Sequence, residues 1–175
     1  MQCTVKKISL IFLLSVGFFV VAQAQKFALV DMDYIMKHIP AYESANDQLN
    51  LLSKKWQTEV DAATQNAQNM LKSYQTEVVF LSPEMKTKRE GEIAAQEKVA
   101  QDLKIHYFGP NGELFKKRES LIKPIQDEIY NAIQSISSDR GYQLILDKSS
   151  ALNIIFSSPK LDISDDVLVK LGYSK

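Results

Sequence analysis

Between Ala41 and Leu81 the sequence has no Gly or Pro, and its apolar residues recur three or four positions apart. The stripe consists of Leu49, Leu52, Trp56, Val60, Ala63, Ala67, Met70, Tyr74, Val78 and Leu81. Its nine intervals span 32 residues, a mean of about 3.56, which is typical of one long amphipathic helix. About 40 helical residues make a rod of roughly 60 Å, whereas a compact domain of about 150 residues is only about 40 Å across. We therefore expect the rod to project from the rest of the protein.

A second long helix should follow at once. Ser82 can serve as N-cap and Pro83 suits the first helical position, so we predict a helix from Pro83 to Phe108. The short link makes the two helices antiparallel, as a helical hairpin. The return helix has a weaker apolar stripe, which predicts a loose seam with small side chains. That stripe comprises Met85, Ile93, Val99, Ala100 and Leu103 and is interrupted by Arg89 and Gln96.

The flanking segments predict a small body. Gly109-Pro110-Asn111-Gly112 should break the return helix, and a further helix should run from Glu113 to Arg140, bent by Pro124 and stopped by Gly141. The remaining predicted elements are a strand at Lys26–Asp31, a helical turn capped by Asp31 or Asp33, strands at Tyr142–Asp147 and Asn153–Phe156, and a helix at Asp165–Leu171 capped by Asp162 or Ser164.

This order predicts an α+β fold that is mostly α, with a small β body and a long antiparallel helical-hairpin arm. Residues 25–40 and 113–175 would form the body, and residues 41–112 the arm. Three strands of four to six residues are too few for a stable sheet of their own. We therefore expect several chains to share one core.

The N-terminus predicts export. Lys6 and Lys7 precede an uncharged run from Ile8 to Val21, and Ala22-Gln23-Ala24 is a signal-peptidase pattern. We predict a signal peptide at residues 1–24, cleaved after Ala24; an uncleaved anchor is the alternative. The mature chain would lack Cys, carry a net charge of −2, and reside in the periplasm without stable membrane insertion. The formal charge of zero of the full chain argues against nucleic-acid binding.

The sequence offers no catalytic constellation. HExxH, GxSxG, Walker A and GxGxxG patterns are all absent. Ser157-Ser158-Pro159-Lys160 matches only a bare S-x-x-K, without the companion elements of β-lactamases. Ordinary strand-end, capping and surface roles explain the remaining polar candidates better than catalysis or Ca²⁺ binding; these are His38, His106, Asp31, Asp33, Asp139 and Asp147. We predict no enzymatic activity, no cofactor and no metal.

The arm carries more apolar side chains than a narrow two-helix seam needs. The candidates for client contact are Trp56, Met70, Tyr74, Val79, Phe80, Leu81, Met85, Tyr107 and Phe108. Val79, Phe80 and Leu81 are consecutive, so they cannot all face one partner helix. Ordinary coiled-coil packing is the alternative for Trp56, Met70 and Tyr74, while exposure is expected for Phe80 and Met85. Scattered apolar and Met contacts suit loose binding of many unfolded chains.

Five segments together resemble the Skp/OmpH family of periplasmic chaperones, in the form found in Bacteroidetes-type bacteria. They are Lys26–Tyr34 (KFALVDMDY), Gly109–Phe115 (GPNGELF), Glu119–Tyr130 (ESLIKPIQDEIY), Gly141–Asp147 (GYQLILD) and Leu161–Gly172 (LDISDDVLVKLG). The resemblance spans nearly the whole mature chain.

The resemblance implies a homotrimer whose three arms enclose a cavity and hold unfolded outer-membrane β-barrel proteins without ATP. On that basis the body and trimer interface would use Phe27, Leu29, Tyr142, Leu144, Leu146, Ile154 and Phe156. The arm interior, roughly residues 45–108, would hold the clients, and the Gly-Pro-Asn-Gly break and Pro124 would let the cavity widen. Lys116-Lys117-Arg118 suggests lipopolysaccharide contact, but the acidic balance of the chain favours an ordinary solvated face. A structural envelope coiled coil without chaperone activity is the alternative function.

Overall fold

The computed structural model describes residues 26–150 and 154–173. The predicted signal peptide and its cleavage site lie outside the described residues. The described elements are β1 (Phe27–Val30), α1 (Met32–Lys37), α2 (Pro40–Glu77), a 3₁₀ turn (Val78–Phe80), α3 (Pro83–Phe108), α4 (Glu113–Arg140), β2 (Leu144–Asp147), a second 3₁₀ turn (Pro159–Leu161) and α5 (Ser164–Lys170). The α+β, mostly α fold class is confirmed.

The body is built on two parallel strands from opposite ends of the chain. Phe27 pairs with Leu144 and Val30 with Asp147, so the whole helical arm lies between the two strands in sequence. The hydrophobic core lies between one side of β1 and helices α1, α4 and α5. The largest fully buried side chains are those of Ile35, Ile129 and Val167, one from each of these helices. Ala28 and Val30 contribute the strand's side of the core.

The prediction of a strand at Asn153–Phe156 is wrong for the part of it that the structure describes. Ile154–Phe156 has no regular secondary structure, and the side chains of Ile155 and Phe156 are exposed. One edge of β1 pairs with β2, and its other edge makes a parallel bridge from Leu29 to Asp162. A strand requires a pairing edge as well as an apolar pattern, and within one chain Ile154–Phe156 forms no ladder.

The arm is an antiparallel hairpin of α2 and α3, as predicted. All ten positions of the predicted stripe are buried or half-buried. Eight of them lie on α2, whereas Val78 belongs to the 3₁₀ turn and Leu81 follows it, so the helix ends before the predicted Leu81. The α3 side of the seam differs from the predicted stripe, because Met85 and Val99 are exposed while Gln96 is half-buried. The helix therefore turns Ile93, Gln96 and Ala100 toward its partner, at the intervals of three and four residues that a helix imposes.

The Gly-Pro-Asn-Gly segment forms a compact link between α3 and α4. The Gly112 N–H donates to the carbonyl oxygen of Gly109 at 2.9 Å. A Cβ atom at Gly112 would lie 2.7 Å from the carbonyl oxygen of Tyr107, so the close approach of the backbone requires glycine there. Helix α4 continues through Pro124 and ends at Gly141, whose φ of 71° is the left-handed conformation predicted for this stop.

Helix α5 begins differently from the prediction. Ile163 holds the N-cap position without a side-chain cap, and Ser164 is the first helical residue. Asp162 still binds the start of the helix, since its carboxylate accepts from the backbone N–H of Ser164 at 2.9 Å. The Ser164 hydroxyl is occupied elsewhere, because it accepts from the backbone N–H of Asp31 at 2.8 Å. Among the described residues, no helix is both long enough and apolar enough to cross a membrane.

Candidate functional site

An aromatic stack joins the two helices at the base of the arm. The rings of Trp56 on α2 and Tyr107 on α3 are stacked, with centroids 5.0 Å apart and planes 7° apart. The Tyr107 hydroxyl donates to the carboxylate of Glu59 at 2.6 Å, and this hydrogen bond raises the pKa of Tyr107. Trp56 and Tyr107 are half-buried, and both pack between the two helices of their own chain.

Farther along the arm, Tyr74 and Met70 also lie at the seam. The Tyr74 hydroxyl donates to the carboxylate of Glu90, which raises the pKa of Tyr74. Met70 and Tyr74 are half-buried and line a small recess of about 270 Å³ together with Arg89 and Ile93. Met70 and Tyr74 therefore pack between the two helices and are also partly accessible on the surface of the arm.

The tip of the arm is apolar and exposed. Phe80 is 87% exposed, Val79 76% and Met85 53%, whereas Leu81 is half-buried. The 3₁₀ turn tightens the end of α2 and places Val79 and Phe80 beyond the reach of the seam. The start of α3 is fixed by the Ser82 hydroxyl, which accepts from the backbone N–H of Met85. The tip thus presents apolar side chains on a defined backbone.

A groove of about 640 Å³ runs between α2 and α3 near the base of the arm. Its lining residues are Val60, Thr64, Ala67, Gln68, Leu71, Glu97, Ala100, Gln101, Lys104, Ile105, Phe108 and Gly109. Ala67 and Ala100 are buried, whereas Leu71 and Ile105 are exposed. Of the predicted client-contact residues, only Phe108 lines this groove. Val60, Ala67 and Ala100 belong to the predicted stripes, but the other lining residues lie beside them. The groove was not predicted because it depends on how the two helices are placed against each other.

The body exposes one face of its two-stranded sheet. Phe27 is 52% exposed, Leu144 54% and Leu146 42%, and these three side chains share one side of the ladder. Two further residues of the predicted interface are less accessible. Leu29 is buried, and Tyr142 is half-buried and packs against the core.

The other two predicted interface residues follow β2 in the chain. Ile154 is half-buried and Phe156 is 86% exposed. Ile155, which was not selected from the sequence, is fully exposed between them. Ile155 belongs to the apolar run Asn153–Phe156, so its apolar character was visible in the sequence, but whether it is exposed depends on the folded chain.

A charged network ties the C-terminal segment to β1. The Lys148 ammonium lies 2.8 Å from the carboxylate of Asp162 and 3.5 Å from that of Asp31. Partial burial opposes ionisation of Asp162, but Lys148 and Ser164 outweigh it and lower the pKa of Asp162. The carboxylate of Asp147 accepts from the backbone N–H of Met32 at 3.2 Å. Asp31 and Asp147 therefore have structural roles where one strand meets a helix.

Asp31 and Asp147 lie at one junction, but the polar candidates from the sequence do not gather into a common site among the described residues. Within the described residues, no group of three or more His, Cys, Asp or Glu side chains could hold a metal ion. The His38 ring lies 2.8 Å from the carbonyl oxygen of Tyr34, one turn earlier in its helix. In the basic cluster, Lys116 pairs with Glu113 at 3.0 Å. These contacts are local and leave no shared site for His38, His106 and the aspartates.

Comparison with known proteins agrees with this architecture. The family model described as "Outer membrane protein (OmpH-like)" matches residues 26–171. The chaperone protein Skp of Yersinia enterocolitica is 24% identical over 147 residues, which are 83% of this chain and 85% of that protein. The crystal structure of an OmpH-like protein of Caulobacter crescentus CB15 superposes with a TM-score of 0.63 at 12% identity, covering 84% of this chain and 83% of that one.

The fold thus defines a class of proteins in which a long helical hairpin is carried on a small body of two strands and packed helices. The family match covers nearly all of that architecture, from the first residue before β1 to the residue after α5. The chain belongs to the OmpH-like family, the Skp/OmpH family of chaperones that its sequence motifs resemble.

Proposed function

We propose that this protein is an ATP-independent periplasmic holdase that binds unfolded outer-membrane β-barrel proteins and prevents their aggregation. The observation that carries the proposal is the exposed apolar tip formed by Val79, Phe80 and Met85 on a projecting arm. Large exposed apolar side chains clustered on a surface typically mark an interaction site. In a member of a chaperone family, unfolded chains are the partners that such a surface fits best.

We propose that the working unit is a homotrimer joined through the body. Phe27, Leu144 and Leu146 form an apolar sheet face that is open in the single chain, and Ile155 and Phe156 add exposed apolar surface after β2. A two-stranded sheet is marginal alone and gains stability when a further apolar surface covers its open face. Three such bodies joined together would set three arms around a common space.

On this proposal, the arm retains its clients through many weak contacts and needs no nucleotide. Tip residues supply apolar surface, and Trp56, Met70, Tyr74, Leu81, Tyr107 and Phe108 add half-buried side chains along the hairpin. Because such contacts are individually weak and adaptable, a client is released when a better partner competes for it. The residues 109–112 would act as a hinge that widens the space for larger clients. The mature net charge of −2 makes lipopolysaccharide a less favoured ligand than an unfolded protein.

A structural spacer is the alternative function. The long hairpin of α2 and α3 would then hold two envelope layers apart, and its tip would bind a fixed partner. The two functions differ in one measurable property, because only the holdase binds unfolded chains.

The test uses purified residues 25–175 and a urea-unfolded outer-membrane β-barrel protein, without nucleotide. Size exclusion with light scattering should show a mass near three chains and, after addition of the barrel protein, a larger complex that stays in solution. Val79→Ser, Phe80→Ser and Met85→Ser combined should lower the amount of barrel protein kept in solution. A trimer that leaves the barrel protein to precipitate would overturn the holdase and favour the spacer.

A further inference from the structure

The groove between α2 and α3 has the shape of a site for an extended chain. On α2 it is lined from Val60 to Leu71 and on α3 from Glu97 to Phe108, eleven residues apart in each case. Eleven helical residues rise about 16 Å, which is the length of about five residues of extended chain. Its volume of about 640 Å³ lies within the range of ligand-binding pockets.

The middle of the groove is apolar, and two small side chains form its floor. Ala67 and Ala100 form a buried floor of two methyl groups, and Leu71 and Ile105 stand beside it with 38% and 56% of their surface exposed. An aromatic or large aliphatic side chain placed over the two alanines would contact both walls. Such burial removes apolar surface of groove and ligand from water together.

The α3 wall carries two opposite charges, Glu97 at one end and Lys104 one turn before the other end at Phe108. Glu97 and Lys104 are seven residues apart, so they lie on the same side of the helix about 10 Å from each other. Within the described part of the chain neither has an ion-pair partner, although Lys98 on another side of α3 pairs with Asp102 at 2.6 Å. A ligand that places a cation near Glu97 and a carboxylate near Lys104 would satisfy both.

The rim also offers amide groups for a peptide backbone. Gln68 and Gln101 line the groove and make no hydrogen bond to any described residue. Elsewhere on α2, Gln65 donates to Asn69 at 3.0 Å and Gln57 donates to Asp61 at 2.8 Å. The unpaired amides of the groove can donate to, and accept from, an extended backbone that has no partners of its own.

We propose that this groove binds an extended client segment of about five residues in which alternate side chains face the arm. The first facing side chain is basic and lies near Glu97, the second is aromatic and lies over Ala67 and Ala100, and the third is acidic and lies near Lys104. Residues i, i+2 and i+4 of an extended chain share one side and span about 13 Å. The backbone positions of Glu97 and Lys104 are about 10 Å apart, and their long side chains can extend to the two outer residues. This inference rests on the proposed holdase function and specifies which client segments the arm selects.

The first experiment measures binding of a fluorescein-labelled peptide with the core Lys-Ala-Phe-Ala-Asp by fluorescence anisotropy. Gln68→Trp fills the groove, and Gln65→Trp places the same side chain on α2 outside it. We expect Gln68→Trp to weaken peptide binding at least tenfold and Gln65→Trp to leave it unchanged. Equal binding by the wild type and Gln68→Trp would overturn the proposal.

A charge cycle tests the same site without altering its shape. A peptide in which Gln replaces both Lys and Asp should bind the wild type about two- to fivefold more weakly, as exposed ion pairs are modest. Glu97→Gln combined with Lys104→Gln should cause the same loss for the charged peptide and none for the neutral one. If the losses of binding free energy from the peptide change and from the protein change simply add, the charge assignment is overturned.

The outcome for the groove is separable from the outcome for the function. Aggregation of the unfolded barrel protein is measured in parallel with the same variants. Peptide binding that is lost in Gln68→Trp, combined with no protection by the wild type, would support the groove and overturn the holdase. A change in oligomeric mass caused by Gln68→Trp alone, without loss of peptide binding, would assign the groove to a second copy of the chain and overturn the proposal.

Discussion

At the scale of single residues, two glycines of this chain have opposite physical roles. A Cβ atom at Gly112 would lie 2.7 Å from the carbonyl oxygen of Tyr107 and 2.9 Å from that of His106. A Cβ atom at Gly91, on helix α3, would meet nothing within 4 Å. The link between α3 and α4 therefore needs the missing side chain of Gly112, whereas the arm does not need that of Gly91.

We expect Gly112→Ala to lower the free energy of unfolding by about 1–3 kcal/mol, because backbone atoms must move to admit the methyl group. Gly91→Ala should raise it by about 0.5–1 kcal/mol through better helix propensity. Urea denaturation followed by circular dichroism measures both. If Gly112→Ala were as stable as the wild type, the compact geometry of residues 109–112 would be contradicted.

The Lys148 network makes the free energy of unfolding depend on pH in the acidic range. The pKa of Asp162 is lower in the folded protein than its usual value, so the folded state binds fewer protons than the unfolded state does. The stabilisation is complete above about pH 5 and is lost as the pH falls through about 4 and below. Asp162→Asn should cost about 1–3 kcal/mol at pH 7, and the cost should shrink toward pH 2–3.

Asp127→Asn is the matched control for this prediction. Asp127 pairs with Lys123 at 3.7 Å on the surface of α4, where both side chains are mostly exposed. Exposed pairs of this kind contribute less than about 1 kcal/mol. Urea unfolding at several pH values should show a pH-dependent difference for Asp162→Asn alone, and a constant difference would contradict the assignment.

At the scale of elements, the seam of the hairpin depends on a few specific contacts. The stripe on α2 was predicted correctly because one helix repeats its face with a fixed period. The partner stripe on α3 was only partly predicted, since Met85 and Val99 are apolar but lie off the face that the hairpin uses. Sequence spacing identifies a helix readily, but which side is buried depends on where the neighbour lies.

Trp56→Ala should destabilise the arm by about 2–3 kcal/mol, because it removes a large half-buried ring together with its stack on Tyr107. Tyr107→Phe keeps the stack and removes only the hydrogen bond to Glu59, so a loss near 1 kcal/mol is expected. Hydrogen exchange of α2 and α3 amides measures both losses. Equal losses would show that the hydroxyl, and not the stack, holds the base of the hairpin.

At the scale of the whole molecule, the open sheet face is the surface that we propose for assembly. Phe27 and Leu144 are direct neighbours across the ladder and both are about half exposed. Phe27→Ser combined with Leu144→Ser should lower the mass measured by light scattering from three chains toward one, because the shared apolar surface is reduced. Phe80→Ser, at the arm tip, should leave the mass unchanged. A trimer that survives the double substitution would place the interface elsewhere.

The sequence by itself determined the elements whose cause is local. The helical period of α2, the Ser82 cap, the break at Gly109-Pro110-Asn111-Gly112 and the left-handed Gly141 all depend on residues within a turn or two of each other. The order of these elements and the family motifs could be predicted because they too depend on residues that are close in the sequence. The exposure of Phe80 also followed, because three consecutive apolar residues cannot share one helix face, and that of Met85 followed from its place near the tip of the hairpin.

Only the tertiary structure decided which surfaces are covered. The groove at Ala67 and Ala100 arises where two helices 26 and 38 residues long meet in one register, which neither helix specifies alone. The absence of a strand at Ile154–Phe156 and the bridge from Leu29 to Asp162 depend on contacts between opposite ends of the chain. Pairing edges and packing partners are properties of such distant contacts, so local periodicity cannot choose among them.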